Sequence, residues 1–440
     1  MKRCYLIGEH LGHSCSPEIH RAFGRYDYEL KELAPAELEP FLRSRDFDGL
    51  NVTMPYKEAV IPLLDLLDPA AAAIGAVNTV VNRGGVLWGY NTDFGGMAAA
   101  LARAGVEVRG KHAFVLGTGG TSRTALAVCR ALGAAEISRV SRTGREAALT
   151  YEQAAALFRA PPHPAAARAS SPQGKGLGAV LINCTPVGMW PEPEGRPLDL
   201  KTLQLCHSER SEESVPPVPA VFDCVYNPLR TRLVLEARAL GVPAAGGLYM
   251  LVMQAALACE CFTGTPVEDE QVDIIYDSLR WDRENLVLIG MPGAGKSTVG
   301  RILAQKTGKT FVDSDEEITK RAGKSIPAMF AEDGEAAFRT LETEIIRQAA
   351  LQLGCVIATG GGTILREENL RRLRQNGRLI LLDRPLSALE PSPERPLGDT
   401  AEKLAALYEA RAPLYAAAAD LRVPNRGSPE EAAALILTML

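Results

Sequence analysis

The sequence predicts an α/β chain made of several layered domains, and three observations lead to that class. Twice a short apolar run breaks into glycines and resumes with helical periodicity, at residues 113–116 before GTGGTSR and at 286–289 before GMPGAGKST. Strand, glycine turn and helix in that order form the repeating unit of parallel sheets. Further strand-like runs recur at 136–140, 179–183, 220–223, 310–312 and 356–358, separated by longer stretches that carry helical patterns. At 440 residues the chain exceeds one ordinary core, and usual domain sizes suggest roughly three units.

Composition narrows the function classes. Hydrophobic residues make up 46% and charged residues 23%, the balance of an ordinary globular protein. A net charge of -5 and a pI near 5.8 disfavour a nucleic-acid partner, because phosphate backbones select basic faces. No apolar run approaches the ~20 residues of a membrane span. The opening MKRCYLIG meets Glu9 and His10 too soon for a signal peptide, so no membrane partner and a cytoplasmic location are expected. The nine cysteines are scattered, odd in number and lack a CxxC pair. They read as thiols in a reducing compartment, filling apolar space, with Cys259 and Cys261 in a core helix.

Taken in order, residues 5–8 read as a strand, followed by GHSCSPEIHRAF, where Ser14 and Ser16 stand two apart and Pro17 opens a helix. On its own such a pair is more often a helix cap. Residues 48–57, DGLNVTMPYK, read as a strand ending at Pro55 that presents Thr53 and Lys57. GAVNT then brings Asn78, and GYNTDFGG brings Asn91 and Asp93. Lone copies of these motifs would be turns. In this order and spacing, SCSP, NVTMPYK, GAVNT and GYNTD resemble shikimate dehydrogenase. The resemblance implies that Ser14 and Ser16 hold a substrate carboxylate, that Lys57 and Asp93 are the catalytic pair, and that Thr53, Asn78 and Asn91 contact substrate. The chemistry is coherent without the family: a carbonyl receiving hydride becomes an alkoxide, which needs a proton donor and a positive charge. A lysine beside a carboxylate supplies both.

The strand at 113–116 leads into a helix patterned by Leu126, Val128, Cys129 and Leu132. Gly117 and Gly119 fit the first two glycines of G-x-G-x-x-G, while Ser122 replaces the third, closer to the GxGG variant of the resembled family. Cofactor contacts are expected along Gly117, Thr118, Gly119, Gly120, Thr121, Ser122 and Arg123, with Arg123 either on a phosphate or an exposed helix arginine. The next strand ends in Ser141, Arg142 and Thr143, where an NAD enzyme would carry an acid. Arg142 with its flanking hydroxyls can pair a 2′-phosphate, so NADPH is the expected cofactor. NCTPVGM and DCVYNPLRT close two further strands of a doubly wound sheet. By resemblance Asn183, Thr185, Gly188 and Met189 lie near the nicotinamide and Tyr226 faces substrate. GGLYMLVMQAA, residues 246–256, reads as a glycine turn into an apolar helix whose polar interior residue is Gln254. The resemblance puts Gln254 on a substrate hydroxyl and Gly247 beside the cofactor; otherwise Gln254 is a hydrogen-bonded core residue. CHSERSEES, residues 206–214, is bounded by VPPVP and reads as an exposed inserted loop without chemistry, and 160–178 is rich in Pro, Ala and Gly.

A charged stretch at 281–285 separates the halves, and LVLIGMPGAGKST follows. Gly290 and Gly295 frame G-x-x-x-x-G-K-[ST], with Val299, Ile302 and Leu303 carrying a helix onward. Backbone N–H groups of Gly293, Ala294 and Gly295 can turn around ATP phosphates, Lys296 can meet the β- and γ-phosphates, Ser297 can hold Mg²⁺, and Thr298 is expected among the nucleotide contacts at the positive end of the helix that follows. The strand at 310–312 runs into Asp313-Ser-Asp315, and period-two alternation puts both carboxylates on one face. One can steer Mg²⁺ and the other a hydroxyl. Arg339 and Glu342 share a helix face and can pair. The strand at 356–358 reaches Gly360, Gly361 and Gly362, whose bare backbone a ligand can approach.

DSD, FRTLE, TGGG, ERPL with Arg395 and RAPLY with Arg411 are similar to shikimate kinase, in that family's order, over residues 285–440. The resemblance implies a nucleoside-monophosphate-kinase-like P-loop fold with a parallel sheet. It also implies that Asp315 takes the proton of the attacking hydroxyl and that Arg339 and Arg411 hold the substrate carboxylate beside Gly361 and Gly362. Glu342 then braces Arg339, Asp313 holds Mg²⁺ through water, and Arg395 closes from a lid onto the transferring phosphate.

The expected organisation is an α/β substrate domain from 1–100 and 240–275, a Rossmann-like NADP domain at 101–239, a linker at 276–284 and a P-loop kinase domain at 285–440. The expected function is NADPH-dependent reduction of 3-dehydroshikimate, then ATP-dependent phosphorylation of shikimate at its 3-hydroxyl, with small molecules as the only partners and oligomeric state open. The alternative is an active dehydrogenase with a non-catalytic, ligand-binding kinase-like domain. Lys296, Asp313, Asp315 and the arginines, all present, speak against it. Arg142 and the fusion likewise disfavour a quinate-utilising dehydrogenase.

Overall fold

The computed structural model of the chain describes residues 2–12, 14–144, 148–159, 178–200, 220–392 and 397–440. The Ser- and Glu-rich run at 206–214, nearly all of 160–178 and Arg395 lie outside the described residues. The chain divides into two compact units, Met1–Leu279 and Arg280–Leu440. Most of the residues expected as a linker, 276–284, belong to the helix Asp269–Arg283.

The first unit holds two sheets. One comprises β1 (Arg3–Gly8), β2 (Asp27–Glu32), β3 (Gly49–Val52), β4 (Leu66–Leu67), β5 (Thr79–Arg83) and β6 (Val86–Tyr90), in the order β2-β1-β3-β5-β6-β4. It is mixed: β1 runs parallel to β2 and β3, whereas β5 is antiparallel to both β3 and β6. The strand expected to run from Asp48 and end at Pro55 stops at Val52. Pro55 has no N–H to offer a ladder, and the chain turns instead through Tyr56 N–H to Thr53 O and Val60 N–H to Tyr56 O.

The second sheet comprises β7 (His112–Leu116), β8 (Glu136–Val140), β9 (Ala179–Asn183), β10 (Ala220–Asp223) and β11 (Ala244–Ala245), all parallel, in the order β11-β10-β9-β7-β8. The order reverses between β7 and β9, and in such sheets ligands bind at the strands' carboxyl ends beside that point. Every residue of β10 is buried, as are four of the five in β7 and in β9, because helices cover both faces. The helix Leu248–Thr263 ties the two sheets together. Val252, Ala255, Cys259 and Phe262 join a core with Cys4, Leu6 and Phe23, while Met250 joins one with Val115 and Ala125. Its mostly apolar sequence follows from serving two cores.

The second unit is built on β12 (Asn285–Ile289), β13 (Thr310–Asp313), β14 (Cys355–Ala358), β15 (Gly377–Asp383) and β16 (Leu421–Pro424), all parallel, in the order β13-β14-β12-β15-β16. β12 is the central strand, with all five residues buried between two apolar clusters. Its carboxyl end opens at the point where strand order reverses, and the glycine loop begins there.

Candidate active sites

A cavity of about 500 Å³ lies in the first unit, and Ser14, Ser16, Thr53, Lys57, Asn78, Asp93, Tyr226, Gly247 and Gln254 line it together with Thr121 and Met189. Lys57 Nζ donates to Asp93 Oδ2 at 2.6 Å, with side chains only 17% and 10% exposed. Lys57 follows the turn after β3. Asp93 stands in the first turn of the helix Thr92–Arg103, where the helix end favours a negative charge. Asn78 organises the other side of the carboxylate. Its Nδ2 faces Asp93 Oδ1 at 2.9 Å, Thr92 Oγ1 at 3.0 Å and Gln254 Oε1 at 3.3 Å, and its Oδ1 accepts from Thr92 N at 2.7 Å. Gln254 Nε2 donates to Leu251 O at 3.0 Å, so this interior amide has partners at both ends.

The two serines do not cap their helix. Cys15 occupies the cap position without a side-chain bond, and Ser16 is the first residue of Ser16–Phe23. Ser14 Oγ instead accepts from Ser16 N at 3.2 Å and lies 3.1 Å from Ser16 Oγ, which holds both hydroxyls on the cavity wall. Asn91 does not line this cavity as described. It caps Thr92–Arg103 by accepting from Phe94 N, and its Nδ2 donates to Ala76 O at 2.8 Å.

The glycine turn after β7 approaches the same pair. A Cβ on Gly120, the first residue of the helix Gly120–Ala131, would lie 3.6 Å from Lys57 Cδ. Gly117 has φ +109°, and Ser122 Oγ donates to its carbonyl at 2.7 Å from a fully buried position. That bond explains how a serine stands where the dinucleotide pattern has a third glycine. Arg123 pairs with Glu58 at 3.1 Å. At the end of β8, Ser141 Oγ accepts from Gly144 N at 3.0 Å, while Arg142 and Thr143 are exposed. Asn183 is fully buried and builds its loop, donating to Asp223 Oδ1 at 2.9 Å and accepting from Thr185 N and Oγ1 at 3.0 and 2.7 Å. Asp223 was not singled out in the sequence. Burial pushes its carboxyl up to about 6 despite bonds from Thr231, Val225 N and Asn183.

A second cavity, about 440 Å³, lies in the second unit. Gly290, Gly293 and Gly295 hold φ of +143°, +81° and +83°, which curl the loop ahead of the helix Lys296–Thr307. Gly293, Gly295, Lys296, Ser297 and Thr298 line the cavity. Lys296 Nζ donates to the carbonyls of Gly290 and Met291, both at 2.9 Å. Ala294 is buried behind the loop, where its carbonyl accepts from Asn425 Nδ2 at 2.7 Å.

Asp313 and Asp315 both line this cavity, though not as alternating residues of one strand. Asp313 ends β13 and caps the next helix, Ser314–Ala322, its Oδ1 accepting from Asp315 N at 3.0 Å and Glu316 N at 3.4 Å. Asp315 therefore stands in a helical first turn, because the cap bends the backbone after Asp313. Its Oδ1 is buried and has no hydrogen-bond partner among the described residues. Burial pushes its carboxyl up to about 6; Lys296 and Arg339 pull it down, and Asp313 and Glu342 push it up.

Arg339 donates to Glu342 Oε2 at 2.9 Å and to Glu335 Oε1 at 3.1 Å, and the wholly buried Glu342 also accepts from Thr363 Oγ1 at 2.8 Å. A Cβ on Gly362 would lie 2.2 Å from Arg339 Nη1, so the guanidinium occupies the space a side chain would need. Arg411 Nη1 donates to Gly361 O at 3.1 Å, and the Tyr415 hydroxyl donates to the same carbonyl. Tyr415 and Asn425 were missed; Tyr415 stands one helical turn beyond Arg411, a spacing visible in RAPLY. Among the described residues no group of three or more His, Cys, Asp or Glu is placed to hold a metal ion.

Comparison with known proteins gives both units a family. Residues 6–80 match the family model for the shikimate dehydrogenase substrate binding domain, and residues 292–440 match that for shikimate kinase. The shikimate dehydrogenase (NADP(+)) of Symbiobacterium thermophilum is 38% identical over 278 residues, covering 59% of this chain and 88% of the relative. That of Moorella thermoacetica is 37% identical over 271 residues, covering 59% and 87%. Among solved structures, shikimate dehydrogenase 1 from Peptoclostridium difficile is similar with 31% identity and a TM-score of 0.52, covering 64% of this chain and 98% of its own. A chorismate mutase/shikimate 5-dehydrogenase fusion protein from Clostridium acetobutylicum has 31% identity and a TM-score of 0.54, covering 63% and 97%. Two sites in two separately folded units, each with its own family match, lead to one assignment: the chain belongs to the shikimate dehydrogenase family and carries a shikimate kinase domain in its second unit.

Proposed function

We propose that the chain is a bifunctional enzyme that reduces 3-dehydroshikimate to shikimate with NADPH and then phosphorylates shikimate at its 3-hydroxyl with Mg·ATP. The observation that carries the reading is the largely buried Lys57–Asp93 pair in one cavity, together with the convergence of Lys296, Asp315, Arg339 and Arg411 in the other. In the first, Lys57 protonates the carbonyl oxygen as it gains negative charge, while Asn78 and Lys57 hold the two oxygens of Asp93 apart in function. Ser14 and Ser16 receive the substrate carboxylate; Thr53, Tyr226 and Gln254 meet the rest of the ring. NADPH supplies the hydride. The exposed Arg142, with no acid at the end of β8, suits a 2′-phosphate, and the relatives' names carry NADP(+).

In the second cavity Asp315 accepts the proton of the attacking hydroxyl. Its upward shift brings the carboxylate closer to a base that works near neutral pH. Arg339, braced by Glu342, and Arg411 hold the substrate carboxylate. Ser297 and Asp313 suit Mg²⁺, which keeps waters and phosphate oxygens and needs few protein ligands. Held there, the ion would neutralise charge on the phosphates.

One reaction containing 3-dehydroshikimate, NADPH and Mg·ATP tests the reading, with NADPH loss and ADP release followed together. ADP should appear only after NADPH oxidation. Lys296→Ala should lose ADP release by a factor on the order of 100 or more while reduction persists. NADPH consumption with no ADP release even from added shikimate would instead make the second unit a ligand-binding module.

A further inference from the structure

Of the cysteines, none of which serves either reaction, two stand side by side. Asn183 and Asp223 are register partners at the ends of the parallel strands β9 and β10, so the next residues, Cys184 and Cys224, face each other across the sheet's carboxyl edge. Their Sγ atoms lie 3.8 Å apart. Neighbouring strands are about 4.8 Å apart, within the span of Cα separations that a disulfide bridges, about 4.4 to 6.8 Å. The other half of the argument is place. Cys224 lines the dehydrogenase-like cavity, so a molecule as small as peroxide can reach it. Its carbonyl lies so close beneath Gly247 that a Cβ there would approach to 2.2 Å, and Tyr226 follows two residues on. Cys184 directly precedes Thr185, whose Cγ2 packs at the Gly117 turn.

We infer that Cys184 and Cys224 form an oxidation site, closing to a disulfide under hydrogen peroxide and thereby switching off the reductase site while leaving the chain folded. In the first step the sulfur of Cys224 takes one oxygen of the peroxide: an S–O bond forms, the O–O bond breaks, and one water leaves. The sulfur of Cys184 then attacks the sulfenic acid, the S–S bond forms, and hydroxide departs as water with the Cys184 proton. Two thiols lose two hydrogens and one peroxide becomes two waters. The contact with Cys184 and burial together push the Cys224 thiol up, which lowers its thiolate fraction and slows its reaction with peroxide. Closing a 3.8 Å contact to a bond of about 2.05 Å draws together the loops bearing Thr185 and Tyr226. A displacement of about 1 Å at a reacting centre costs up to ~10²-fold in rate.

The effect on turnover rests on the reductase reading above, whereas the bond itself does not, and the test separates them. The full-length chain is treated with peroxide, its remaining thiols are alkylated under denaturing conditions, and it is proteolysed without reduction for mass spectrometry. The expected product is a peptide pair linked through Cys184 and Cys224, absent from Cys184→Ser and Cys224→Ser and removed by dithiothreitol. NADPH-dependent reduction should fall at least about tenfold in step with the linkage and return with dithiothreitol. Both cysteines recovered as alkylated free thiols, or both as sulfinic acids without a link, would overturn the site. A link formed without loss of reduction would overturn the switch. A reduced enzyme with no turnover would count against the reductase reading alone, and the linked peptide would still decide the bond.

Discussion

His20 sits fully buried in the helix Ser16–Phe23, its Nδ1 bonded to the Tyr26 hydroxyl at 2.6 Å and its ring stacked on Tyr28 at 3.9 Å. Nε2 has no partner among the described residues, and burial pulls the imidazole down to about 3. Because the folded value lies below the unfolded one, the unfolded chain binds the proton first as pH falls. The stability that this neutral ring carries is complete above about pH 6.5 and drains away toward pH 3. Urea unfolding at pH 7 and 5 should show wild type losing about 2 kcal/mol more than His20→Phe over that interval. Parallel losses would mean that the ring is protonated inside the folded protein. Gly362 makes a residue-scale case in the other unit. Adding one methyl in Gly362→Ala puts a carbon where Arg339 Nη1 now lies, so the guanidinium must leave its place between Glu342 and the glycine loop. Losing a charge-assisted contact of ~1.5–3 kcal/mol should raise the KM for shikimate on the order of 10- to 100-fold and leave the KM for ATP unchanged. An unchanged shikimate KM would remove Arg339 from the substrate clamp.

At the scale of elements, the junction between β13 and the helix Ser314–Ala322 shows one side chain carrying two duties. Asp313 satisfies two N–H groups of the first turn and also faces the cavity where Mg²⁺ is proposed. The duties separate by substitution. Asparagine caps a helix about as well as aspartate but brings no charge, whereas alanine costs roughly 1 kcal/mol of cap. Asp313→Asn should therefore keep its unfolding free energy within about 0.5 kcal/mol of wild type while needing on the order of tenfold more Mg²⁺ for ADP release. Asp313→Ala should lose both. A wild-type Mg²⁺ titration in the asparagine variant would leave Asp313 a cap and nothing more. This junction also marks where period-two alternation misleads, since a capping bond ends the strand between the two aspartates. Residues 179–183 and 220–223 were legible as strands because short apolar runs bounded by turn residues are what a helix-covered parallel sheet requires. Of the mixed sheet only β1 and β3 were legible in part, and a two-residue edge strand such as Leu66–Leu67 has no period to read.

Across the whole molecule, what sequence reveals follows chain distance. Lys57, Asp93, Lys296 and Arg339 each stand inside a short motif and could be found there. Asn425 meets the Ala294 carbonyl 131 residues away, and Tyr415 meets that of Gly361 54 residues away, contacts that exist only once strand order has folded β12, β14 and β16 into one sheet. The same sorting by unit makes a prediction about ligands. Every residue lining the first cavity lies before Leu279, and every residue lining the second lies after Arg280. A ligand stabilises the backbone it binds by RT ln(1 + [L]/Kd), about 2.7 kcal/mol at a hundredfold excess over Kd. Local openings that expose amides to exchange should be suppressed only in the unit that gains this term. In hydrogen exchange, NADP⁺ should slow the amides of 117–124 and 183–189, and Mg·ADP those of 290–298, each leaving the other set at its free rate. If Mg·ADP instead slows exchange at 117–124, binding free energy is passing between the units, and the two sites answer to each other as well as to their own ligands.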